Sequence, residues 1–483
     1  MGSSQRDVAP AARLALIDAA FYERPVKLRL PFRFGVVTLT QAPQLFVRAR
    51  VRLADGREGE GISAELLVPK WFDKSPELSN EDNFNQLRRS LALAHGHLVA
   101  AGTETAFGLS AAADAPHRAA ATARGLNGLV ASFGLALLER AIIDALGRLE
   151  GATAFALVRD NRVGLTAQMT PDLADFDLSA FLAGLRPANA IFVRHTVGML
   201  DALTRDDIAG NRLDDDLPQS LEEVISVYRH RYFKLKVGGQ IDADLARLGR
   251  IAAVLDRIGE PYFVTLDGNE QFESVGSVIE LWRRIGENPR LARLEASTLL
   301  IEQPIARSRA LSEPIHALAR DVPVEVDESD ADIGVFPRAR ELGYLGISAK
   351  SCKGFYRALL NRARVAHWNA GQSENRYFMS AEDLTTQSGV ALQQDLALAT
   401  LIGATHVERN GHHYVDGMAG APRAEQEAFL LAHPDLYARA ANGRVRLAIR
   451  DGAVALGSLQ SKPGLAVGPL PDFGAMQTSP AAA

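Results

Sequence analysis

A single cysteine, Cys352, in 483 residues excludes an intrachain disulfide framework and a cysteine-ligated zinc cluster. Long apolar runs are missing too, and none reaches the roughly 18 to 20 residues that a membrane-spanning helix needs. The opening MGSSQRDVAPAARLALIDAAFYE has no basic segment followed by a continuous apolar one, so no secretory signal is expected. Its Met-Gly-x-x-x-Arg start also lacks the Ser or Thr of a myristoylation site. There is no surplus of positive charge. The formal net charge of −5 gives no general attraction to nucleic acid or an anionic membrane. Also absent are a Gly-rich phosphate loop, a Gly-x-Ser-x-Gly elbow and a His-Glu-x-x-His pair. These absences leave a soluble, cytoplasmic globular protein as the expectation. With 47% hydrophobic residues, the chain is long enough for two or three domains.

From about residue 190, short β-like runs alternate with amphipathic helices. IFVRHTVGML, YFKLKV, YFVTL, LLIEQP, VPVEVDES, LGISAK, RYFMSA and THVER make eight runs. The helix between the second and third carries Ile241, Leu245, Leu248, Ala252 and Leu255 on one stripe. Eight such repeats predict an α/β fold, a (β/α)8-type barrel over 190–430, with an open doubly wound sheet as the alternative. Before it, PFRFG and PQLFVRARVRLADGREGEGIS predict antiparallel strands with a turn at Asp55-Gly56. Two helical stretches follow, so 13–189 reads as an α+β domain. The short strands RVRLAIRDGAVALG and KPGLAVGPL, within 431–471, are expected to return to that domain and complete its sheet. The ends, 1–12 and 472–483, read as disordered.

Five charged residues close successive runs: Lys236, Asp267, Glu302, Asp327 and Lys350. A charge at the end of an apolar strand is costly if buried without a purpose. The active site of such a barrel lies at the C-terminal strand ends, where Asp267, Glu302 and Asp327 would form one arc. Singly, each could be a helix N-cap or a loop charge. Converging together they would repel, and a hard divalent cation such as magnesium resolves that. Lys236 and Lys350 end the second and sixth runs, opposite each other in an eight-strand circle. A lysine base needs its pKa lowered, and Lys234, two residues before Lys236 on the same face, would do so by like-charge repulsion together with the cation. Asn269 could position a ligand or bond a lysine.

Lys-x-Lys, Asp-x-Asn, Glu-Gln-Pro, Asp-Glu-Ser and Lys-x-x-Lys-Gly in this order resemble the enolase superfamily, in its mandelate racemase/muconate lactonizing enzyme family. DGREGEG, the ALLERAIIDALG helix and KPGLAV resemble that family's capping domain and C-terminal return. The resemblance implies that Asp267, Glu302 and Asp327 hold Mg2+, with Mn2+ as a substitute, and that Lys236 and Lys350 are the acid/base pair. It further implies an isomerase or lyase that removes a proton α to the carboxylate of a small substrate and forms a metal-stabilised enediolate. The outcome would be racemisation, epimerisation or cycloisomerisation, with an acid-sugar or hydroxy-acid dehydratase as the alternative. A carboxylate-binding protein without turnover is the alternative of another class. Copies of such barrels commonly pair, so a homo-oligomer is expected.

Some positions depart from that pattern. Lys353 stands where a glycine is usual and reads as a loop or helix-start charge. The seventh run has no histidine, but Glu382 or Asp383 could face the pocket. The eighth lacks the paired aspartates of the family's dipeptide epimerases. It offers His406 and Glu408 on one face, then His412 and His413, as other substrate contacts, and His195 on the first run is similar. Trp71 and Phe72 belong either to a lid or to the core of the cap.

Overall fold

The computed structural model describes residues 10–35, 37–208, 210 and 212–480. Of the ends expected to be disordered, 1–9 and 481–483 lie outside the described residues.

Alternating apolar and polar residues make strands of Arg13–Phe34, Val37–Leu53 and Glu58–Leu66. They pair antiparallel in that order. The turn between the last two holds Gly56 at φ +92°, while Asp55 Oδ1 accepts from the Arg57 amide at 3.0 Å. Helices Asn80–Ala100, Ala106–Thr122 and Gly128–Glu150 complete this domain. The first begins with reciprocal bonds between Ser79 and Asp82. The third packs so closely on the sheet that a Cβ at Gly61 would meet Ala141 O at 2.1 Å, which is why glycine stands there in DGREGEG.

The second unit is a curled sheet of eight parallel strands: Ala190–Val197, Tyr232–Lys236, Phe263–Asp267, Thr298–Glu302, Val324–Val326, Gly346–Ala349, Phe378–Ala381 and His406–Arg409. Each pairs with the next through the seventh, and the eighth pairs with the first. Helices such as Ile241–Leu255 cover the outside, where Phe233, Leu235, Leu248, Ile251 and Leu255 are buried together. Among the described residues no backbone ladder joins the seventh strand to the eighth. The gap is bridged instead by the Asp383 amide donating to Glu408 Oε2 at 3.1 Å and the Asn410 amide donating to Asp383 Oδ2 at 2.7 Å.

The C-terminal segment departs from expectation in three places. Ala453–Ala455 pairs antiparallel with the first parallel strand, not with the N-terminal sheet. The second strand begins opposite Arg194 and leaves Ala190–Phe192 with an open edge, which Ala453–Ala455 covers. KPGLAV does reach the N-terminal domain, but at a helix: the Leu465 amide donates to Asp144 Oδ1 at 2.7 Å, and Asp144 also accepts from Ile62 and Arg148. Residues 472–480 are ordered, and Gln477–Thr478 is the strand that extends the N-terminal sheet, pairing with Tyr22 and Glu23. Among the described residues no helix is long and apolar enough to cross a membrane.

Candidate active site

Strand alternation sends Phe233 and Leu235 outward and Lys234 and Lys236 inward. The parallel register then sets Lys236 beside Asp267, Asp267 beside Glu302, and Glu302 beside Glu325. Side chains far apart in sequence therefore lie in one layer inside the curl. Asp267, Glu302, Glu325 and Asp327 are fully buried, and Lys234, Lys236 and Lys350 nearly so.

Each catalytic candidate meets its own aspartate. Lys236 Nζ donates to Asp267 Oδ2 at 2.5 Å, and Lys350 Nζ to Asp327 Oδ2 at 2.5 Å. Burial opposes the charge on Lys350, but Asp327, with Glu302 and Glu408 behind it, raises the pKa of the ammonium on balance. Burial likewise pushes the Asp327 carboxyl up, yet Lys350 and then Lys353 pull it well below the usual carboxylate range. The loop after the fifth strand is fixed by Gln303 of the Glu-Gln-Pro motif, whose Oε1 accepts from the amides of Asp327 and Ser329 at 2.9 and 3.0 Å.

Lys234 does not act as a free like charge against Lys236. Its ammonium lies 2.9 Å from Asp267, 2.7 Å from Glu302, 2.8 Å from Glu382 and 3.0 Å from Glu408. Burial lowers its pKa, but these four carboxylates raise it well above the ordinary lysine value. Negative charge is still in excess. The Glu302 carboxyl is pushed well above its usual range by burial, then by Asp267 and Glu382. Glu302 Oε2 receives no hydrogen bond, although Lys234 Nζ is 2.7 Å away. Among the described residues, Glu302, Glu325 and Glu382 each place one carboxylate oxygen within 4.8 Å of the others, while Asp267 and Asp327 are drawn onto lysines.

The remaining candidates divide. Asn269 is buried, with its Nδ2 3.2 Å from Glu328 Oε1 and its carbonyl accepting from Lys74 at 2.7 Å. Glu408 joins the Lys234 network, but His406 lies at the opposite, N-terminal end of the strands. There it stacks on Tyr232, and its Nδ1 is 2.6 Å from the Arg194 guanidinium. Two residues of rise separate it from Glu408, so a shared face does not mean a shared site. Lys353 does stand just before the start of the helix Phe355–Asn369, but it is buried, 2.9 Å from Asp327 Oδ1. The 3-10 turn Ser351–Lys353 folds its side chain back along the sixth strand to Ser348.

Trp71 and Phe72 also part company. Trp71 lines the mouth with Phe32, Phe34 and Val68, and Lys350 Nζ sits 4.5 Å from its ring centroid. Phe72 packs edge-on against Phe133 in the core of the N-terminal domain. Sequence reasoning missed Glu325, Arg194 and Lys74. The first two had a signal, since Glu325 precedes Asp327 by two residues on the same face and Arg194 shares its face with Thr196. Arg194 pairs with Glu382 across the curl. Lys74 comes from an irregular segment with no period to read.

The fold, a sheet of parallel βα units beside an α+β domain, is shared with solved structures 12% to 19% identical to this chain, one of them a member of the enolase superfamily from Roseovarius nubinhibens ISM complexed with magnesium. A muconate lactonizing enzyme from Pseudomonas fluorescens complexed with muconolactone is 19% identical over 95% of this chain and 98% of its own, with a TM-score of 0.57. A dipeptide epimerase from Enterococcus faecalis V583, complexed with Mg and L-Leu-L-Tyr, is 12% identical over 94% and 99%, at 0.58. An enolase from Bradyrhizobium complexed with magnesium and mandelic acid is 17% identical over 96% and 99%, at 0.57. As a sequence, the chain matches no protein-family model and no curated protein.

Proposed function

We propose that the chain is an enzyme that removes the proton α to the carboxylate of a small substrate, giving racemisation or epimerisation, or cycloisomerisation. One observation carries this reading: two buried lysines, from the second and sixth of eight parallel strands, flank a single cluster of carboxylates. The solved relatives hold muconolactone, a dipeptide or mandelic acid, and the substrate proposed here is of that carboxylate class. The curled sheet is read as a closed (β/α)8 barrel whose seventh and eighth strands are joined by side chains. A lone, buried cysteine accords with work in the cytoplasm.

The donor set fits a hard cation. It is all oxygen and fully buried, carries surplus negative charge, and includes a Glu302 oxygen that receives no hydrogen bond. Asp267, Glu302 and Asp327 would hold Mg2+, or Mn2+ in its place, with Glu325 and Glu382 close behind. When bound, the ion would polarise the substrate carboxylate and so acidify the α-carbon. The chain's own residues do the rest. With a cation held by Asp267 and Asp327, the lysines would lose these carboxylate partners, and one would then take the proton from one face of the α-carbon while the other returns a proton from the opposite face, each serving as base in one direction and acid in the other. Lys234 holds the surrounding carboxylates in place. Trp71 shields Lys350 from water above a cavity of about 20 Å³.

The test is incubation with a carboxylate library and Mg2+ in deuterium oxide. Solvent deuterium should enter the α-carbon of the true substrate, and Lys236→Ala and Lys350→Ala should each abolish it for one face. Exchange untouched by both substitutions would remove the lysines from the chemistry. Exchange accompanied by loss of a β-group would redirect the reading to a dehydratase. Tight binding with no exchange would make the chain a carboxylate-binding protein.

A further inference from the structure

Behind the wall of the site, on the outer side of the sheet, four histidines meet. His195 is on the first parallel strand and points away from the curl, opposite to Arg194 and Thr196. His230 lies two residues before the start of the second strand. His412 and His413 sit in the short helix Gly411–Tyr414 that follows the eighth. The ring of His195 lies 5.4 Å from that of His230, 5.4 Å from that of His412 and 5.0 Å from that of His413, centroid to centroid. The ligating nitrogens of His195, His230 and His412 all fall within 4.8 Å of one another. His195, His230 and His413 are buried and His412 is half-buried.

Packing alone does not account for this cluster. Neither ring nitrogen of His230 has a hydrogen bond of good geometry, although the Val193 backbone faces it, and His412 Nδ1 and His413 Nδ1 are also without partners. Folded proteins rarely leave buried polar nitrogens orphaned in one place. The contact between His195 Nδ1 and His412 Nε2, 3.3 Å, is the one bond inside the trio. Nor does an acid neutralise a set of imidazolium ions here: Asp215, the carboxylate that faces His413, is tied to Arg29. Burial, then the neighbouring histidines, hold the pKa of His195 well below the usual histidine range, and burial lowers His230 to about 3. All are therefore neutral imidazoles, the form that ligates metals.

We propose that His195, His230 and His412 bind one transition-metal ion of the zinc class, at a site separate from the carboxylates of the mouth. Three imidazoles without a thiolate or carboxylate suit Zn2+, Co2+ or Ni2+ and reject Mg2+, so the two sites would sort cations by ligand type. The ion would tie the first, second and eighth strands together where the sheet curls onto itself. His413, whose carbonyl accepts from Arg29 at 2.8 Å, links that point to the N-terminal domain.

The experiment uses the full-length chain stripped with chelator, kept in millimolar Mg2+ to occupy oxygen sites, and titrated with Zn2+ and with Co2+. Heat and the visible spectrum of Co2+ are followed. The expected result is one equivalent bound, with intense tetrahedral Co2+ bands, and affinity weakened at least tenfold in His230→Gln and His412→Gln. Asp327→Asn and the exposed His316→Gln should bind as the wild type does. Circular dichroism checks the fold of each variant, and because His412 is half-exposed, His412→Gln decides if His230→Gln does not fold. No uptake by the wild type, equal uptake by the histidine variants, or loss only in Asp327→Asn would each overturn the proposal. None of these outcomes depends on whether the mouth abstracts protons.

Discussion

Along the first parallel strand, Arg194 and Thr196 face inward and His195 faces outward, and all three are buried. Inward, the cations meet carboxylates, which outnumber them: Arg194 meets Glu382 and Lys234 holds four carboxylates, while Thr196 donates to Glu408 at 2.7 Å. Outward, one residue away, the imidazoles are kept neutral and several of their nitrogens bond to nothing. Burial is equal on the two faces, so burial alone does not decide ionisation. The neighbours do, and a strand that alternates can hold an ionic site on one face and a neutral one on the other.

The largest effect should come from removing the cation at the centre of the inward face. Lys234→Met leaves four buried carboxylates facing one another, and breaking a buried ion pair in this way costs about 3–5 kcal/mol. Urea unfolding should show a loss of that order. The loss should grow with pH, because the freed carboxylates can avoid repulsion only by holding protons in the folded state. A loss under 1 kcal/mol would mean that the network carries no stability.

Glu65 is an intermediate case. It is buried in the N-terminal domain with Arg140 3.1 Å from its Oε2, but its Oε1 is unpartnered. Burial raises its pKa to about 7, against the pull of Arg140. The folded state then holds a proton that the unfolded state has released, so stability is unaffected below the ordinary carboxylate pKa. It falls as pH rises from there to about 7 and levels off above. The fall is on the order of 3 kcal/mol for a shift of this size. Glu65→Gln should flatten the profile between pH 4.5 and 7 in urea titrations, and an unchanged slope would assign the pH dependence elsewhere.

Added Mg2+ should sharpen the contrast between the faces. At about 100 times its Kd, a ligand specific to the folded state stabilises it by about 2.7 kcal/mol. Thermal melts should rise accordingly in the wild type and in His230→Gln, but not in Asp327→Asn. A rise retained in Asp327→Asn would place the ion outside the mouth.

The five strand-end charges were legible because each ends an apolar run, where a solvated loop charge has no need to recur, and because parallel register turns equal phase along the strands into one spatial layer. His406 shows the limit of that reasoning: phase puts it on the inner face, but not at the mouth. Ala453–Ala455 was misjudged for a nonlocal reason. Its partner is an edge left open by where the second strand begins, and nothing within Ala453–Ala455 records that. Lys353 does precede a helix, but its contact with Asp327 was hidden because a one-turn 3-10 helix reverses its direction, which composition does not reveal. Lys74 sits in an irregular segment and reaches Asn269 and Glu328 only through tertiary packing.

The smallest effect tests what the Trp71 ring of the N-terminal domain contributes to the inward face. Trp71 meets Lys350 through its ring, a contact worth roughly 0.5–2 kcal/mol according to its desolvation. Trp71→Leu keeps an apolar side chain over the mouth but removes that attraction. Two consequences separate here. If the ring only packs, the substitution lowers stability slightly and leaves α-proton exchange alone. If it also steadies the Lys350 ammonium, exchange for the face served by Lys350 should slow by several-fold while the Lys236 face is unchanged. Stereospecific deuterium exchange reads that difference directly, and an equal change on both faces would mean that Trp71 acts on substrate binding instead.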